Sequence, residues 1–375
     1  MRILYITDAL AVWGGIERVL RDKANYLVEH YGYDVHIVTT DQGPHPIPYP
    51  LDERVKVHDL DIRFHHQYRY CGFKRIFTYW KLHRLFKQRL KSCIEQIKPD
   101  VLVCIRIESV NSIISVKGDI PLICESHSMC YAYLYENATF LYRLRFWWAR
   151  KNIRKADCIV ALTEGDANDW RRSHPNVKVI PNIVHLNDTG RYSDLQSKKV
   201  IFVGRFSAQK DFGSMIEIWR LVHQRHPDWE LHAYGEGEQK EGFQKEIAKS
   251  NINITLHEPT ANIFNKYLES SILCMTSLYE PFGLVLPEAM SCGLPVIAFN
   301  CPYGPDDIIT DGVNGFLIKN RNQETFAKQI CLLMDSTELR QKIGYMAAKS
   351  VSRYQTEVIM PKWKSFFETI NRNVE

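Results

Sequence analysis

The 375-residue chain contains ten cysteines but no Cys-x-x-Cys pair. That excludes a zinc-ribbon ligand set and the dense disulfide framework of a small secreted domain. Scattered thiols of this kind suit a reducing cytosol. No apolar run is long enough to cross a bilayer. The first apolar stretch, ILYITDAL, is interrupted by Asp8 and reads as a buried strand, not as a signal peptide. Any membrane association would therefore be peripheral, and the expected location is cytoplasmic, on the inner face of the cell membrane. There is no solenoid-period repeat and no low-complexity tract. No DNA- or RNA-binding motif is present, so nucleic acid is not an expected partner.

What is present describes a globular protein. The length suits two domains, and 45% of residues are hydrophobic. The net charge of +5 is uneven. Residues 1–190 hold 27 Lys and Arg against 21 Asp and Glu, whereas the remainder holds 21 against 22. The whole excess thus lies in the first half, which suggests a surface that meets anions.

Two series of short apolar segments alternate with helical patterns. The first runs RILYITDAL, YDVHIVTT, PDVLVCIRI, DIPLICESH and ADCIVALTE; a polar linker near Ile183–Lys198 follows it. The second runs KKVIFVGRF, WELHAYGEG, INITLHEP, SILCMTS, LPVIAF and NGFLI. Continuous Val- and Ile-rich runs are expected where parallel strands are buried on both faces. The reading is α/β, with two doubly wound parallel-sheet domains facing each other across a cleft. The expected boundaries are 1–190 for an acceptor-binding domain and 191–355 for a nucleotide-sugar-binding domain. A helix over 356–375 is expected to pack back on the first. Ligands of such sheets bind beyond the carboxyl ends of the strands.

Glu280 to Glu288, EPFGLVLPE, carries the most chemistry. Two carboxylates flank a Pro-Phe-Gly turn that leads into a helix. Carboxylates can hold the hydroxyls of a sugar and a ribose while the N–H groups of the turn meet a phosphate. In GRFSAQKD, Gly204 permits close approach of the backbone, and Arg205 and Lys210 offer two cations before a helix N-terminus. A solvated basic loop and a dipole-favoured carboxylate are the plainer readings of these two segments. The loop after the first strand carries Gly14 and Gly15, with Glu17 just inside the next helix. In CESHSMCY, His127 follows a strand end. A helix cap accounts for Asp306 in GPDDII, where Gly304 and Pro305 make the turn.

Together the GGIE loop, GRFSAQKD, the YGEGE turn, the Glu-x7-Glu element and GPDDIITDGVNGFLI resemble the retaining GT-B glycosyltransferases, in particular family 4. The resemblance covers nearly the whole chain and implies two Rossmann-like domains. It also implies transfer of a sugar from a nucleotide donor with retention of configuration. Carried over by position, Arg205 and Lys210 grip the donor diphosphate and stabilise the departing nucleotide. Glu280 lies near the donor sugar and Glu288 takes the ribose hydroxyls. The backbone of Phe282, Gly283 and Leu284 meets sugar and phosphates. Gly14 and Gly15 approach the donor phosphate or the acceptor, and His127 faces the transferred sugar. Catalytic roles thus fall to Glu280, Arg205, Lys210 and His127, with donor binding extended to Gly15, Gly204 and Glu288. No metal and no cofactor beyond the nucleotide sugar, expected to be a UDP-sugar, are implied. The one Asp-x-Asp, Asp59–Asp61, reads as surface. The loop after ITLHEPT lacks a glycine common in the family, so no base contact is assigned.

Arg63 to Lys91 holds nine Lys and Arg, no acid, and many aromatics. Ile76, Trp80, Leu90 and Ile94 fit one helical face, while Lys74, Lys81, Gln88 and Lys91 fit another. Arg143–Lys155 is a second basic and aromatic cluster. Both suit an anionic lipid surface; a core helix with a basic outer face is the plainer alternative. The expected activity is transfer of a hexose or N-acetylhexosamine to a glycan or lipid-linked acceptor in cell-surface polysaccharide or glycolipid synthesis. A sugar-nucleotide epimerase of the same fold and a non-catalytic binding subunit are the rivals.

Overall fold

The computed structural model describes residues 1–130, 143, 144, 147 and 151–372. The chain divides into two compact units. One comprises Met1–Leu162, Asp166–Ile183 and Ile359–Glu375; the other comprises Thr163–Gly165 and Val184–Val358. The division thus falls at Ile183 and Val184, a little before 190, and the last helix spans Thr356–Arg372.

The first unit is built on a seven-stranded parallel sheet. Its strands are β1 (Arg2–Thr7), β2 (Asp34–Thr39), β3 (Lys56–Asp59), β4 (Val101–Cys104), β5 (Leu122–Ser126), β6 (Cys158–Ala161) and β7 (Val177–Val179). The order is β3-β2-β1-β4-β5-β6-β7. Alternate residues of the inner strands belong to opposite cores. Leu4, Ile6, Leu102 and Cys104 join one cluster, while Ile3, Tyr5, Val101 and Val103 join the other. This is why these strands read as unbroken apolar runs.

Helix α1 (Gly15–Tyr31) buries Val19, Leu20, Ala24, Leu27 and Val28. It stops at Gly32, whose φ of 64° lets the N–H groups of Gly32 and Tyr33 return to Val28 and Leu27. The second core also takes Ile359, Met360, Trp363, Phe366, Phe367 and Ile370 of the last helix. Full burial of side chains of this size contributes roughly 2–3 kcal/mol each.

Helix α2 (Gly72–Ile97) buries Phe86, Leu90, Cys93, Ile94 and Ile97. The face that holds buried Leu90 and Ile94 also carries Ile76 and Trp80, but these two are exposed, because the core lies under the second half of the helix alone. Of the second basic cluster, residues 145, 146 and 148–150 lie outside the described residues.

The second unit has a six-stranded parallel sheet. It contains β8 (Lys199–Val203), β9 (Glu230–Tyr234), β10 (Ile254–His257), β11 (Ile272–Met275), β12 (Val296–Phe299) and β13 (Phe316–Ile318). The order is β10-β9-β8-β11-β12-β13. Successive strands grow outward from β8 and then cross to its other side. The chain therefore diverges between β8 and β11, as it does between β1 and β4 in the first sheet. Such divergence opens a crevice at the carboxyl ends of the two strands. No described helix is long and apolar enough to cross a membrane.

Candidate active site

In the second unit the divergence point collects the residues singled out in the sequence. Gly204 to Asp211 connects β8 to helix α3 (Phe212–His223), and Thr276 to Glu280 follows β11. Lys210 from the first loop pairs with Glu280 from the second through Nζ and Oε2. Ser277 Oγ donates to the same oxygen at 3.2 Å. Glu280 is 7% exposed. Its backbone is pinned too: its N–H donates to the Pro302 carbonyl at 2.6 Å, and its carbonyl accepts from Tyr303 and Gly304 at 2.9 and 2.8 Å.

Glycines make this compactness possible. A Cβ on Gly304 would lie 1.9 Å from the Phe282 carbonyl oxygen. Gly283 stands at a φ of 88°, which a side chain rarely tolerates, and so turns the chain into helix α4 (Val285–Ser291). The YGEGE turn has a related purpose. A Cβ on Gly235 would lie 2.0 Å from the Gly204 carbonyl oxygen, so the turn can touch the β8 loop only with glycine at 235.

Arg205 lies exposed on the β8 loop, its guanidinium unpaired among the described residues. Two cations thus stand on one loop, one held against a carboxylate and one open to solvent. Glu288, on α4, is 3% exposed and accepts from the Tyr267 hydroxyl at 3.3 Å. Leu284 precedes α4, and the Phe282 ring packs edge-on against Tyr354 at 5.3 Å. Phe282 therefore offers its backbone, since its side chain is committed to the core.

The expected cap at Asp306 is not what forms. Asp306 lies exposed inside the short helix Gly304–Ile308, and Asp307 accepts from the Glu164 backbone N–H at 2.8 Å. Burial raises the Asp307 carboxyl above its usual range.

Sequence reading missed Ser277, Tyr267 and Arg321. Arg321 donates to the carbonyls of Ser277 and Thr276 at 2.8 and 2.9 Å, pairs with Asp211, and stacks on Phe299 at 4.3 Å. It ties the end of β11 to the cap of α3, because Asp211 also accepts from Ser214 at that helix's start. Arg321 is more than 100 residues from Asp211 in sequence, so no local pattern could have revealed it.

The first unit holds His127 at the end of β5, together with the Gly14–Gly15 loop. Gly14 is extended, and a Cβ there would fall 2.2 Å from Glu17 Oε2. Glu17 is therefore folded beneath the loop, and burial raises its carboxyl. Across the divergence of β1 and β4, Asp8 and Arg106 form an ion pair at 3.2 Å. Asp59, one half of the Asp-x-Asp, is bound by Arg63 and the Gly43 N–H.

The sequence pattern of the glycosyl transferases group 1 matches residues 191–350, and that of glycosyltransferase family 4 matches residues 13–188. The chain belongs to the group 1 glycosyltransferases. It is an enzyme that transfers glycosyl groups. The chain is similar to the amylovoran biosynthesis glycosyltransferase AmsD of Erwinia amylovora. The two are 28% identical, over 96% of this chain and 98% of that protein. It is also similar to a poly(ribitol-phosphate) alpha-N-acetylglucosaminyltransferase of Staphylococcus aureus. That match is 30% identical over 58% of this chain and 45% of the relative. Among solved structures, TarM of S. aureus, in complex with fondaparinux, alpha-GlcNAc-glycerol and UDP, superposes with a TM-score of 0.80. It is 18% identical and matches over 98% of this chain and 99% of its own. At that identity the likeness shows the fold, which is GT-B.

Proposed function

We propose that this group 1 glycosyltransferase is a retaining, metal-independent enzyme that takes a hexose or N-acetylhexosamine from a UDP-sugar. The acceptor is a glycan or lipid-linked saccharide of a cell-surface polysaccharide or glycolipid. The observation that carries the reading is the convergence of Lys210 and Glu280 where β8 and β11 diverge. The lysine's charge is held by the carboxylate. A diphosphate offers it a stronger partner, and Glu280 is then released to accept hydroxyls of the donor sugar. Arg205 supplies the second cation. Glu288, with Tyr267 behind it, accepts from the ribose. The UDP in the TarM complex and the alpha-linkage named for the staphylococcal relative support donor and stereochemistry. AmsD supports the polysaccharide setting.

The reaction breaks the bond between the sugar's anomeric carbon and the diphosphate oxygen. The acceptor oxygen bonds to that carbon on the same face, and its proton passes to the departing phosphate. The chain's main task is to stabilise charge growing on that phosphate, which preorganised cations do well. Lys210 and Arg205 supply that charge without a metal. His127 takes the role at the transferred sugar that the resemblance implies.

Membrane association is part of this reading. The first half of α2 presents Phe73, Ile76, Phe77 and Trp80 to solvent, and Phe73 is 92% exposed. Lys74 and Arg75 lie over the rings of Tyr70 and Tyr68, with Lys81 and Arg84 nearby. Exposed aromatics set among cations that have no acidic partner among the described residues suit an anionic bilayer on which a lipid-linked acceptor would be carried.

The test is nucleotide release from a panel of UDP-, GDP- and ADP-sugars, with and without a detergent extract of bacterial membrane lipids, in EDTA. Release from one UDP-sugar, stimulated by the extract, is expected. Lys210→Ala should lower kcat by roughly 10²–10³. Full turnover in that variant would refute the phosphate assignment, and a beta-linked product would refute retention.

A further inference from the structure

His127 stands at the end of a line of buried charge. Lys23, on the inner face of α1, places its ammonium 2.5 Å from Glu125 Oε2 on β5. The two side chains are 2% and 1% exposed. His127 Nε2 lies 2.9 Å from the same oxygen. One carboxylate oxygen thus serves two donors, while Glu125 Oε1 is buried without a hydrogen-bond partner. The Lys23 ammonium also sits 4.4 Å from the Trp363 ring centre and 5.6 Å from that of Tyr5. Apart from Glu125, the ammonium has aromatic faces around it. A buried ion pair is weak evidence for stability, because desolvation offsets most of the attraction. The shared oxygen is what needs explanation.

The state of that oxygen decides the state of the histidine. Burial alone would raise the Glu125 carboxyl. Lys23, with His127, outweighs burial and holds it at about 2. At neutral pH Glu125 is an anion, and an anion can only accept. The Nε2 atom of His127 must therefore carry a hydrogen. In the neutral ring Nδ1 is then the acceptor, and it has no hydrogen-bond partner among the described residues.

The loop that bears the ring is braced independently. Asp166 accepts from Ser126 Oγ at 2.6 Å, from the Cys130 N–H at 2.7 Å and from Trp170 Nε1 at 3.2 Å. Residues on both sides of His127 are thereby tied to one carboxylate. Backbone and ring are positioned by separate groups, which is how a side chain is held to a working geometry.

We propose that Glu125 and Lys23 are positioning residues for His127. They keep its ring protonated at Nε2 and leave Nδ1 to accept from a hydroxyl of the transferred sugar. This rests on the reading of His127 in the proposed function. Lys23 touches no substrate. Its part is to keep Glu125 ionised, since a buried neutral acid could donate to Nε2 and invert the ring. Histidine tautomers are commonly set by the hydrogen bond that the second nitrogen makes.

The experiment is a long-range proton–nitrogen NMR spectrum of the full-length chain, labelled at histidine nitrogens, with the His127 signals assigned by their loss in His127→Gln. At slightly alkaline pH the wild type should show the Nε2-protonated pattern. A Nδ1-protonated pattern overturns the proposal whatever any variant does. The double variant Lys23→Met with Glu125→Gln leaves no orphaned charge. It should mix the two tautomers and lower kcat for UDP release roughly tenfold or more, with KM for the donor unchanged. Wild-type tautomer and wild-type kcat in that variant also overturn the proposal. If His127→Ala keeps full turnover, the sugar-contact reading fails. The tautomer result still decides whether Glu125 and Lys23 set the ring.

Discussion

At the scale of single residues, much of the chemistry here depends on atoms that are missing. The turn from Glu280 to Gly304 closes only because Gly304 leaves room for the Phe282 carbonyl oxygen and Gly283 adopts a φ of 88°. Gly304→Ala would drive a methyl group into the Phe282 carbonyl, at 1.9 Å from its oxygen. The backbone must shift, and the loop that shifts is the one pinning Glu280. We expect Gly304→Ala to cost about 1–3 kcal/mol of stability and to weaken donor binding, measured by thermal unfolding and donor titration. Gly242, in the helix Lys240–Ala248, is the control. A Cβ there meets nothing within 4 Å, so Gly242→Ala should stabilise by about 0.5–1 kcal/mol and leave donor binding alone. Equal effects at the two positions would show that the close approach at Gly304 is unimportant.

At the scale of elements, strand pairing brings together groups that sequence separates. Register pairs His36 on β2 with Lys56 on β3 and puts His58 two positions further along on the same face, so that Nδ1 of His36 and Nε2 of His58 lie 2.9 Å apart and the rings stack. His36 Nε2 also lies 3.1 Å from Asp34. Burial lowers both histidines, and the charge of Lys56 pushes the same way. A histidine lowered in the folded state contributes stability fully above its unfolded value of about 6.5, and this is lost as pH falls through the folded value. The unfolding midpoint should therefore drop as pH goes from about 7 to 5, and His58→Gln should flatten that slope. An unchanged slope would mean that the pair is not the sensor. The same pairing logic underlies the site. Parallel register places the ends of β8 and β11 side by side, so Lys210 and Glu280 meet although 70 positions apart.

At the scale of the whole molecule, charge and exposed aromatics are unevenly spread. The excess of cations lies in residues 1–190, and the aromatic stripe lies on the first half of α2. If this surface meets an anionic bilayer, two terms should separate. Lys74, Arg75, Lys81 and Arg84 replaced by Gln should remove the salt-sensitive part of binding to phosphatidylglycerol vesicles. Phe73, Phe77 and Trp80 replaced by Ser should remove the part that survives high salt. Vesicle binding untouched by both sets would sink the membrane reading. Nucleotide release in detergent should persist in both, since neither set includes a residue of the candidate site.

The two doubly wound units, the loops after β1, β8 and β11, and the glycines that let them close are legible in the order of the amino acids. Each rests on local chemistry: apolar period, turn-forming residues and carboxylates next to a helix start. The packed fold sets which of these groups meet. Lys210 is paired with Glu280, and Glu288 is bound by Tyr267. Arg321 ties β11 to the cap of α3, and Lys23 reaches Glu125 from 102 positions away. It also decided that Ile76 and Trp80 stay exposed while Leu90 and Ile94, on the same helical face, are buried. Periodicity reports which side of a helix is apolar. Whether anything covers that side is a property of the packed fold, because burial and pairing depend on distant segments that no local pattern names.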